Sequence, residues 1–197
     1  MVEQKSVGKA WGRDEVRHAV LRAARTKFAA KGMSVTLREL ARDAGVNLGL
    51  IHKHLGNKDD ILRAVLARNS QQSASVVENV ESLSEAMRRL FLVGVADPDY
   101  VRIATWLTLD GRTDLLPTDE ADGGTILARS GQSSDSVDVR IMFGLAAIAG
   151  WSLFGSEILN NTDVAGSDRV NIELRMADLL SAIMELPEFG PGDVQNP

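Results

Sequence analysis

The residues best suited to chemistry in this sequence lie in one short stretch, residues 36–55, which reads TLRELARDAGVNLGLIHKHL. Thr36 is followed three residues later by Glu39, which is the spacing of a helix-capping box. Gly45 tolerates the positive φ of a sharp turn, and Asn47 is a good N-cap for a second helix. The spacing therefore predicts two short helices around a tight turn, a helix-turn-helix whose second helix is able to enter a DNA major groove.

Charge is divided unevenly along the chain. The 197 residues carry a formal net charge of −5, yet residues 1–63 hold 13 Lys and Arg against 7 Asp and Glu. Residues 64–197 hold 9 against 20, and the last lysine is Lys58. A basic first third on an acidic remainder favours a small polyanion-binding module joined to a body with a different task, although a solvated basic helix face would give the same count.

Other kinds of site find little support in the sequence. The chain has no cysteine, and its three histidines are His18, His52 and His54. His52 and His54 stand two positions apart, so they cannot share one helical face as metal ligands. There is also no glycine-rich phosphate loop and no H-E-x-x-H motif. We therefore predict no metal, no cofactor and no catalytic residue, and we do not expect an enzyme.

The apolar segments argue against secretion and against a membrane span. The first eleven residues are polar and contain no apolar signal segment. The longest apolar stretch, residues 141–154, is interrupted by Gly144, Gly150 and Ser152. It is shorter than the roughly 20 residues that a membrane-spanning helix needs. We expect a cytoplasmic protein with no membrane partner.

Apolar residues recur at helical spacing along nearly the whole chain, whereas the alternation typical of strands is scarce. This pattern predicts an all-α protein of about nine helices, with an N-terminal three-helix head followed by a helical-bundle body. The predicted division is residues 1–57 for the head, 58–187 for the body and 188–197 for a flexible tail. The first four helices are predicted to begin near Asp14, Thr36, Asn47 and Lys58. The others are predicted over residues 84–95, 125–129, 136–160 and 167–186, with one more that has Asp97 as its cap and Pro98 as its first residue.

The helix-turn-helix stretch resembles that of the TetR family of bacterial repressors. The resemblance extends through GLIHKHLGNKDDIL, residues 49–62, which is similar to the family's glycine, aromatic pair, phenylalanine and lysine-acid-acid-leucine signature. His52 and His54 stand where the family commonly has tyrosines, or a tyrosine and a histidine, and Leu55 replaces a usual phenylalanine. From about residue 68 onward, only the number and length of the predicted helices are similar.

The resemblance implies that the head binds double-stranded operator DNA, and it implies a role for each matching residue. Those closest to the base edges would be Asn47, Leu48, Gly49, Leu50 and Lys53. Phosphates would be held by Thr36, His52, His54 and Lys58, with Arg13 and Arg17 adding flanking contacts. Lys53 could instead contact a phosphate or be merely solvated, and Leu50 could pack in the core.

We expect the protein to bind DNA as a homodimer. One short recognition helix makes too few contacts for useful specificity, and two copies fix the half-site spacing at about 34–36 Å. The segments 136–160 and 167–186 are apolar on more than one face and suit a four-helix interface between two chains. The predicted interface residues are Ile141, Leu145, Ile148, Leu174, Ala177 and Leu180. The alternative is that these helices form only an intramolecular core.

Large apolar side chains in the body are candidates for a ligand pocket, although such residues are more often plain core. The family resemblance favours a pocket for a lipophilic small molecule. The candidate lining residues are Met87, Phe91, Trp106, Met142, Phe143 and Trp151. We therefore predict a repressor of a palindromic operator that its ligand releases from DNA. The alternatives are a helical protein–protein interaction module and a regulator with no small-molecule effector.

Overall fold

The computed structural model describes residues 12–117, 138–162 and 168–187, and these residues form eight α-helices and no β-strand. The helices are α1 (Arg13–Lys31), α2 (Leu37–Ala44), α3 (Leu48–Leu55), α4 (Lys58–Val77), α5 (Leu83–Ala96), α6 (Asp99–Leu109), α7 (Val139–Asn160) and α8 (Arg169–Met184). The all-α prediction is confirmed. The predicted short helix over residues 125–129 and the predicted tail over residues 188–197 lie outside the described residues.

The start of α6 differs from the sequence prediction by one residue. Pro98 is the N-cap and Asp99 is the first helical residue, whereas Asp97 was expected to be the cap. Asp97 instead ends α5, because its backbone N–H donates to the carbonyl of Val93 at 3.1 Å. Its carboxylate is then free to pair with Arg25 of α1, at 2.5 Å.

One apolar core joins the head to two elements that follow it in sequence; we call it the first core. From the head it takes buried residues of α1, α2 and α3, among them Phe28, Leu40 and Ile51. It is completed by Ile61, Leu62, Val65 and Leu66 of α4 and by Ile103 and Leu107 of α6. The division at residue 57 stays a prediction about the chain, but the apolar packing crosses it.

A second core lies between α5, α7 and α8. Its buried residues are Met87, Phe91, Val95, Ile141, Ile148, Trp151, Leu159, Ala177, Leu180 and Met184. Two glycines, Gly94 of α5 and Gly144 of α7, allow these helices to pack closely. A Cβ on Gly144 would lie 2.5 Å from the Met87 sulfur, and one on Gly94 would lie 2.7 Å from an Ile148 methyl carbon. Since real Cβ contacts are longer than this, a side chain at either position would force Met87 or Ile148 to shift, and glycine avoids that shift.

The second core corrects the predicted dimer interface. Ile141, Ile148, Ala177 and Leu180 are buried inside this chain and are not available to a partner. Only Leu145 and Leu174 of the predicted set are exposed, at 42% and 40%. The reason is that α7 is apolar nearly all round, so periodicity alone could not indicate which face turns inward.

An exposed apolar face remains on the other side of α7. We call it the outer face, and its large members are Val139, Met142, Phe143, Phe154 and Ile158. On α8, Val170, Leu174 and Leu179 are also exposed. By length and composition alone, α7 is apolar enough to cross a membrane. Its opposite face packs into the second core, whereas the outer face is uncovered in this chain.

The six residues predicted to line a pocket do not come together in the described part of the chain. Met87, Phe91 and Trp151 are buried in the second core. Met142 and Phe143 are more than half exposed, on the outer face. The sixth residue, Trp106, lies against the end of α1, where its indole N–H donates to the carbonyl of Ala29 at 3.3 Å. Trp106 is therefore reassigned from the body interior to the junction between head and body.

Candidate nucleic-acid interface

The N-terminus of α2 is closed by a complete capping box. The amide N–H of Glu39 donates to the Thr36 hydroxyl oxygen at 3.2 Å, and the amide N–H of Thr36 donates to the Glu39 carboxylate at 2.8 Å. These bonds use the Thr36 hydroxyl within the protein. A phosphate at this end of α2 would therefore be held mainly by free backbone N–H groups of the first turn.

Glu39 is held in its charged form at this cap. The backbone N–H of Thr36 is the largest cause, followed by the Lys31 ammonium at 3.1 Å and the Thr36 hydroxyl. Together they lower the pKa of Glu39 from 4.5 to about 2. The carboxylate thus stays ionised and fixed at the start of α2 throughout the neutral range.

The turn between α2 and α3 has the predicted geometry. Gly45 is left-handed, with φ of 67° and ψ of 28°, and its N–H closes the end of α2 on the carbonyls of Ala41 and Arg42. Asn47 then caps α3, because its side-chain oxygen accepts the N–H of Gly49 at 2.8 Å. Both local predictions, the turn glycine and the Asn47 cap, are confirmed. The Asn47 side-chain oxygen is engaged by that cap and does not extend freely towards a base.

The recognition helix α3 has one buried face and one open face. Ile51 and Leu55 anchor it in the first core, at 0% and 8% exposure. Gly49, His52 and Lys53 are exposed. Gly49 and Lys53 are four positions apart, so they share one side of the helix. Since Gly49 has no side chain, this side is able to approach a groove closely while Lys53 extends from it.

The remaining predicted base and phosphate contacts of α3 flank this open face. Leu48 and Leu50 are half-buried and pack against the first core, and His54 is half-buried. The core alternative stated for Leu50 therefore holds in part, since the same leucine packs inward and keeps a partly exposed edge. Of the side chains that α3 was predicted to offer to DNA, His52 and Lys53 are exposed, whereas Leu48, Leu50 and His54 are half-buried.

Lys58 has a role inside the protein that the sequence did not indicate. Its ammonium donates to the backbone carbonyl of Met33 at 2.7 Å, which joins the first turn of α4 to the turn between α1 and α2. An ammonium has three donor hydrogens, so a phosphate contact remains compatible with this bond. Asn57, one residue earlier, caps α4 by accepting the N–H of Asp60 at 3.0 Å.

The cations of the head fall into two groups. Lys27 and Arg42 pair with Asp43, at 2.6 and 3.3 Å, and Lys31 pairs with Glu39. The Lys27 ammonium is the main reason that the pKa of Asp43 lies below its ordinary value. In the described part of the chain, five exposed cations of the head make no ion pair, and these are Arg13, Arg17, Arg22, Arg38 and Lys53. Positive charge is thus left open at the start of α1, the start of α2 and the outer side of α3.

This geometry is that of a helix-turn-helix head with an open recognition helix. A family model described as bacterial regulatory proteins, tetR family, matches residues 20–65, which run from α1 into α4. Residues 20–65 therefore carry the DNA-binding head of the TetR family. A chain with this head is a DNA-binding transcription regulator, and its relatives are regulators and not enzymes.

Relatives of this chain are named as transcription regulators, one matching over most of its length and one over part of it. The HTH-type transcriptional repressor Rv3405c of Mycobacterium tuberculosis strain H37Rv is 26% identical over 189 residues, covering 88% of this chain and 92% of that protein. The HTH-type regulator HbdR of Aromatoleum sp. strain CIB is 34% identical over 82 residues, which are 39% of this chain and 34% of HbdR.

Solved structures of TetR-family regulators share the fold of this chain. A TetR family transcription regulator from Marinobacter aquaeolei VT8 superimposes with a TM-score of 0.62 at 18% identity, covering 87% of this chain and 94% of that one. LfrR from Mycobacterium smegmatis, solved in complex with proflavine, gives a TM-score of 0.56 at 18% identity, covering 84% and 95%. The body, which the family model does not reach, therefore has a TetR-like arrangement as well.

One residue that matters to the placing of the head was misassigned from the sequence. Trp106 stands on α6, 77 positions after its hydrogen-bond partner Ala29. No local pattern around Trp106 indicates a contact over that distance, since an apolar position on an amphipathic helix serves equally well against either core. Its neighbours are set by the packing of α6 against α1.

Proposed function

We propose that this protein is a homodimeric, cytoplasmic repressor that binds a palindromic operator and that a lipophilic small molecule releases it from DNA. The observation that carries the proposal is the open face of α3. Ile51 and Leu55 hold the helix from beneath, while Gly49 and Lys53 leave one side free for a major groove. The name of the relative Rv3405c, a transcriptional repressor, supports the direction of regulation.

The contacts with DNA divide into two kinds. Base edges would be read by Lys53 and by the exposed edges of Leu48 and Leu50, with Gly49 allowing close approach. Phosphates would be held by Lys58, His52 and His54, and by the N–H groups that follow Thr36 at the start of α2. Arg13 and Arg17, exposed at the start of α1, would add contacts on the flanking backbone.

Dimer formation is supported by the outer face of α7. Five large apolar side chains there are between 47% and 59% exposed, more than a monomeric helix normally leaves in water. A second copy of this chain, seated on the same face, would bury them and would present two heads to one palindrome.

A charge on the outer face tests this interface. Phe143→Glu is expected to shift the protein from dimer to monomer in analytical ultracentrifugation at micromolar concentration, because it would bury two like charges across a two-fold axis. Leu109→Glu is the matched control, since Leu109 is 74% exposed on α6 and outside the outer face. A Phe143→Glu protein that sediments as the wild-type dimer would rule out this face as the interface.

The effector proposal is supported by the apolar interior of the body and by the fold shared with LfrR, which was solved with proflavine. Proflavine is the first probe to use. It is expected to lower the affinity for operator DNA, because a ligand that prefers the unbound form shifts the equilibrium by its differential affinity. A panel of uncharged aromatic compounds would follow, and no response to any of them would favour a regulator without a lipophilic effector.

Selection from a pool of random DNA duplexes tests the central claim. The full-length protein is expected to enrich a palindrome, with an affinity that falls steeply as salt rises, because phosphate contacts release counterions. Binding to random duplex at low salt, weaker than binding to the selected palindrome, would agree with this. A protein that binds neither kind of duplex at low salt would instead fit the interaction-module alternative.

A further inference from the structure

The end of α1 is capped by a side chain from the body. The indole N–H of Trp106 donates to the carbonyl of Ala29 at 3.3 Å, one of the carbonyls that the end of a helix leaves without a partner. The ring covers Gly32, which has φ of 57°, and a Cβ there would lie 2.8 Å from two ring carbons. Gly32 is therefore required both by its own backbone and by the position of Trp106.

The turn after α1 is held from a second side as well. Lys58 of α4 binds the carbonyl of Met33 at 2.7 Å, one residue beyond Gly32. Three residues further on, Thr36 begins α2. The path from the body to the start of α2 is thus short, and it is fixed by one contact from α6 and one from α4.

Ion pairs near the two ends of α6 fasten it to α1 and to α4. Near the first end, Arg25 of α1 pairs with Asp97 at 2.5 Å and lies 3.6 Å from Asp99. Just beyond the other end, Arg112 pairs with Asp59 of α4 at 2.8 Å. The inner side of α6 is buried in the first core, whereas α5, α7 and α8 share the second. The head, α4 and α6 therefore form one packed unit, and Trp106, which is 39% exposed, lies where α6 meets the end of α1.

We infer that Trp106 is a positioning residue that fixes the orientation of each head on the body, and through it the spacing between half-sites that the dimer accepts. The inference rests on the proposed homodimer. A change of one base pair moves a half-site by about 3.4 Å and also rotates it around the DNA axis, because about 10 base pairs make one turn. A dimer whose heads are held rigidly on the body binds half-sites at one spacing, whereas a dimer whose heads are loosely held binds half-sites at several spacings.

The experiment compares the wild type with Trp106→Leu and Trp106→Phe on duplexes that carry the selected half-sites at five spacings, the preferred one and up to two base pairs either side. Leu109→Ala is the control, because it shortens an exposed apolar side chain of the same helix. Wild type and control are expected to prefer one spacing clearly. Trp106→Leu is expected to reduce that preference by between about 2-fold and about 30-fold, the range seen for residues that couple distant sites. Its preference for bases within a half-site is expected to be unchanged.

Trp106→Phe keeps an aromatic ring over Gly32 but lacks the N–H, so its spacing preference is expected to lie between those of wild type and Trp106→Leu. It also carries the test if Trp106→Leu does not fold. A folded variant with the wild-type spacing preference would overturn the inference, whatever its melting temperature. A wild type that selects single half-sites with no preferred spacing would instead overturn the proposed dimer, and the inference with it.

Discussion

Lys58 reaches from the first turn of α4 to the backbone carbonyl of Met33, with 2.7 Å between its Nζ atom and the oxygen. Lys58, which the family resemblance assigned to phosphate, therefore also joins α4 to the turn after α1 by a hydrogen bond. The two roles can be measured separately. A phosphate contact changes the affinity for DNA and its salt dependence, whereas the bond to Met33 changes the free energy of unfolding.

Lys58→Ala is expected to weaken binding to selected and random DNA alike, and to reduce the slope of log affinity against log salt by about 1. It is also expected to lower the free energy of unfolding by roughly 1 kcal/mol, the usual net value of a hydrogen bond. Arg63→Ala is the control, since Arg63 is an exposed cation of the same helix, 3.8 Å from Asp60. Fluorescence anisotropy across salt and urea unfolding would measure the two effects. A loss confined to the selected palindrome would contradict the assignment.

Lys53→Ala is expected to change which bases are preferred. Lys53 is exposed on the side of α3 that Gly49 leaves open, so it has no packing role to lose. A good contact to a base is worth about 1–3 kcal/mol of discrimination, and the loss should fall on the selected palindrome. Arg22→Ala removes the same charge from an exposed position on α1 and serves as the comparison. Equal losses on selected and random duplexes would make Lys53 a phosphate contact.

Two glycines with positive φ differ in what surrounds them. Gly45→Ala is expected to cost about 1–2 kcal/mol, the strain of a left-handed residue, because nothing lies within 4 Å of its added Cβ. Gly32 has ψ of −141°, outside the left-handed helical region, so Gly32→Ala carries at least this strain. It also places its Cβ against the ring of Trp106, so its cost is expected to be larger by about 1–3 kcal/mol. Urea unfolding of both variants checks this order. Part of the Gly32→Ala loss should be recovered when Trp106→Leu is added, and strictly additive losses would refute the contact.

The capping carboxylate of Glu39 predicts an acid-sensitive contribution to stability. Its pKa is lowered from 4.5 to about 2 on folding, so the folded state favours the charged form. The contribution is therefore complete above pH 4.5 and is lost as the pH falls towards 2. The difference in melting temperature between wild type and Glu39→Gln should be constant near neutral pH and should shrink through this range.

Lys31→Met separates the causes of that shift. The first cause is the backbone N–H of Thr36, which this variant leaves in place, and the Lys31 ammonium comes second. Lys31→Met should therefore keep most of the acid dependence that Glu39→Gln removes. Identical pH profiles for the two variants would show that the salt bridge, and not the capping box, holds the carboxylate.

The head was predictable because its determinants are local. The Thr36–Glu39 box, the Gly45 turn and the Asn47 cap each involve residues within four positions of one another, and each is confirmed. The inward face of α7 was not predictable, because apolar residues surround that helix and only contacts with α5 and α8 decide which of them are buried. The bond between Trp106 and Ala29 depends on how α6 packs against α1, and no local pattern carries that information.

The first core bears on how this regulator could be re-engineered or exchanged with its relatives. Residues 1–57 end before Ile61 and Leu62, which are at most 1% exposed, and well before Ile103 and Leu107. A chimera that replaced only those residues would set foreign side chains against the old α4 and α6. DNA specificity in this protein is therefore better changed by substitutions on the open face of α3 than by exchange of the whole head. If the head is exchanged, a graft that also carries the inner face of α6 should be more stable than one that ends at residue 57.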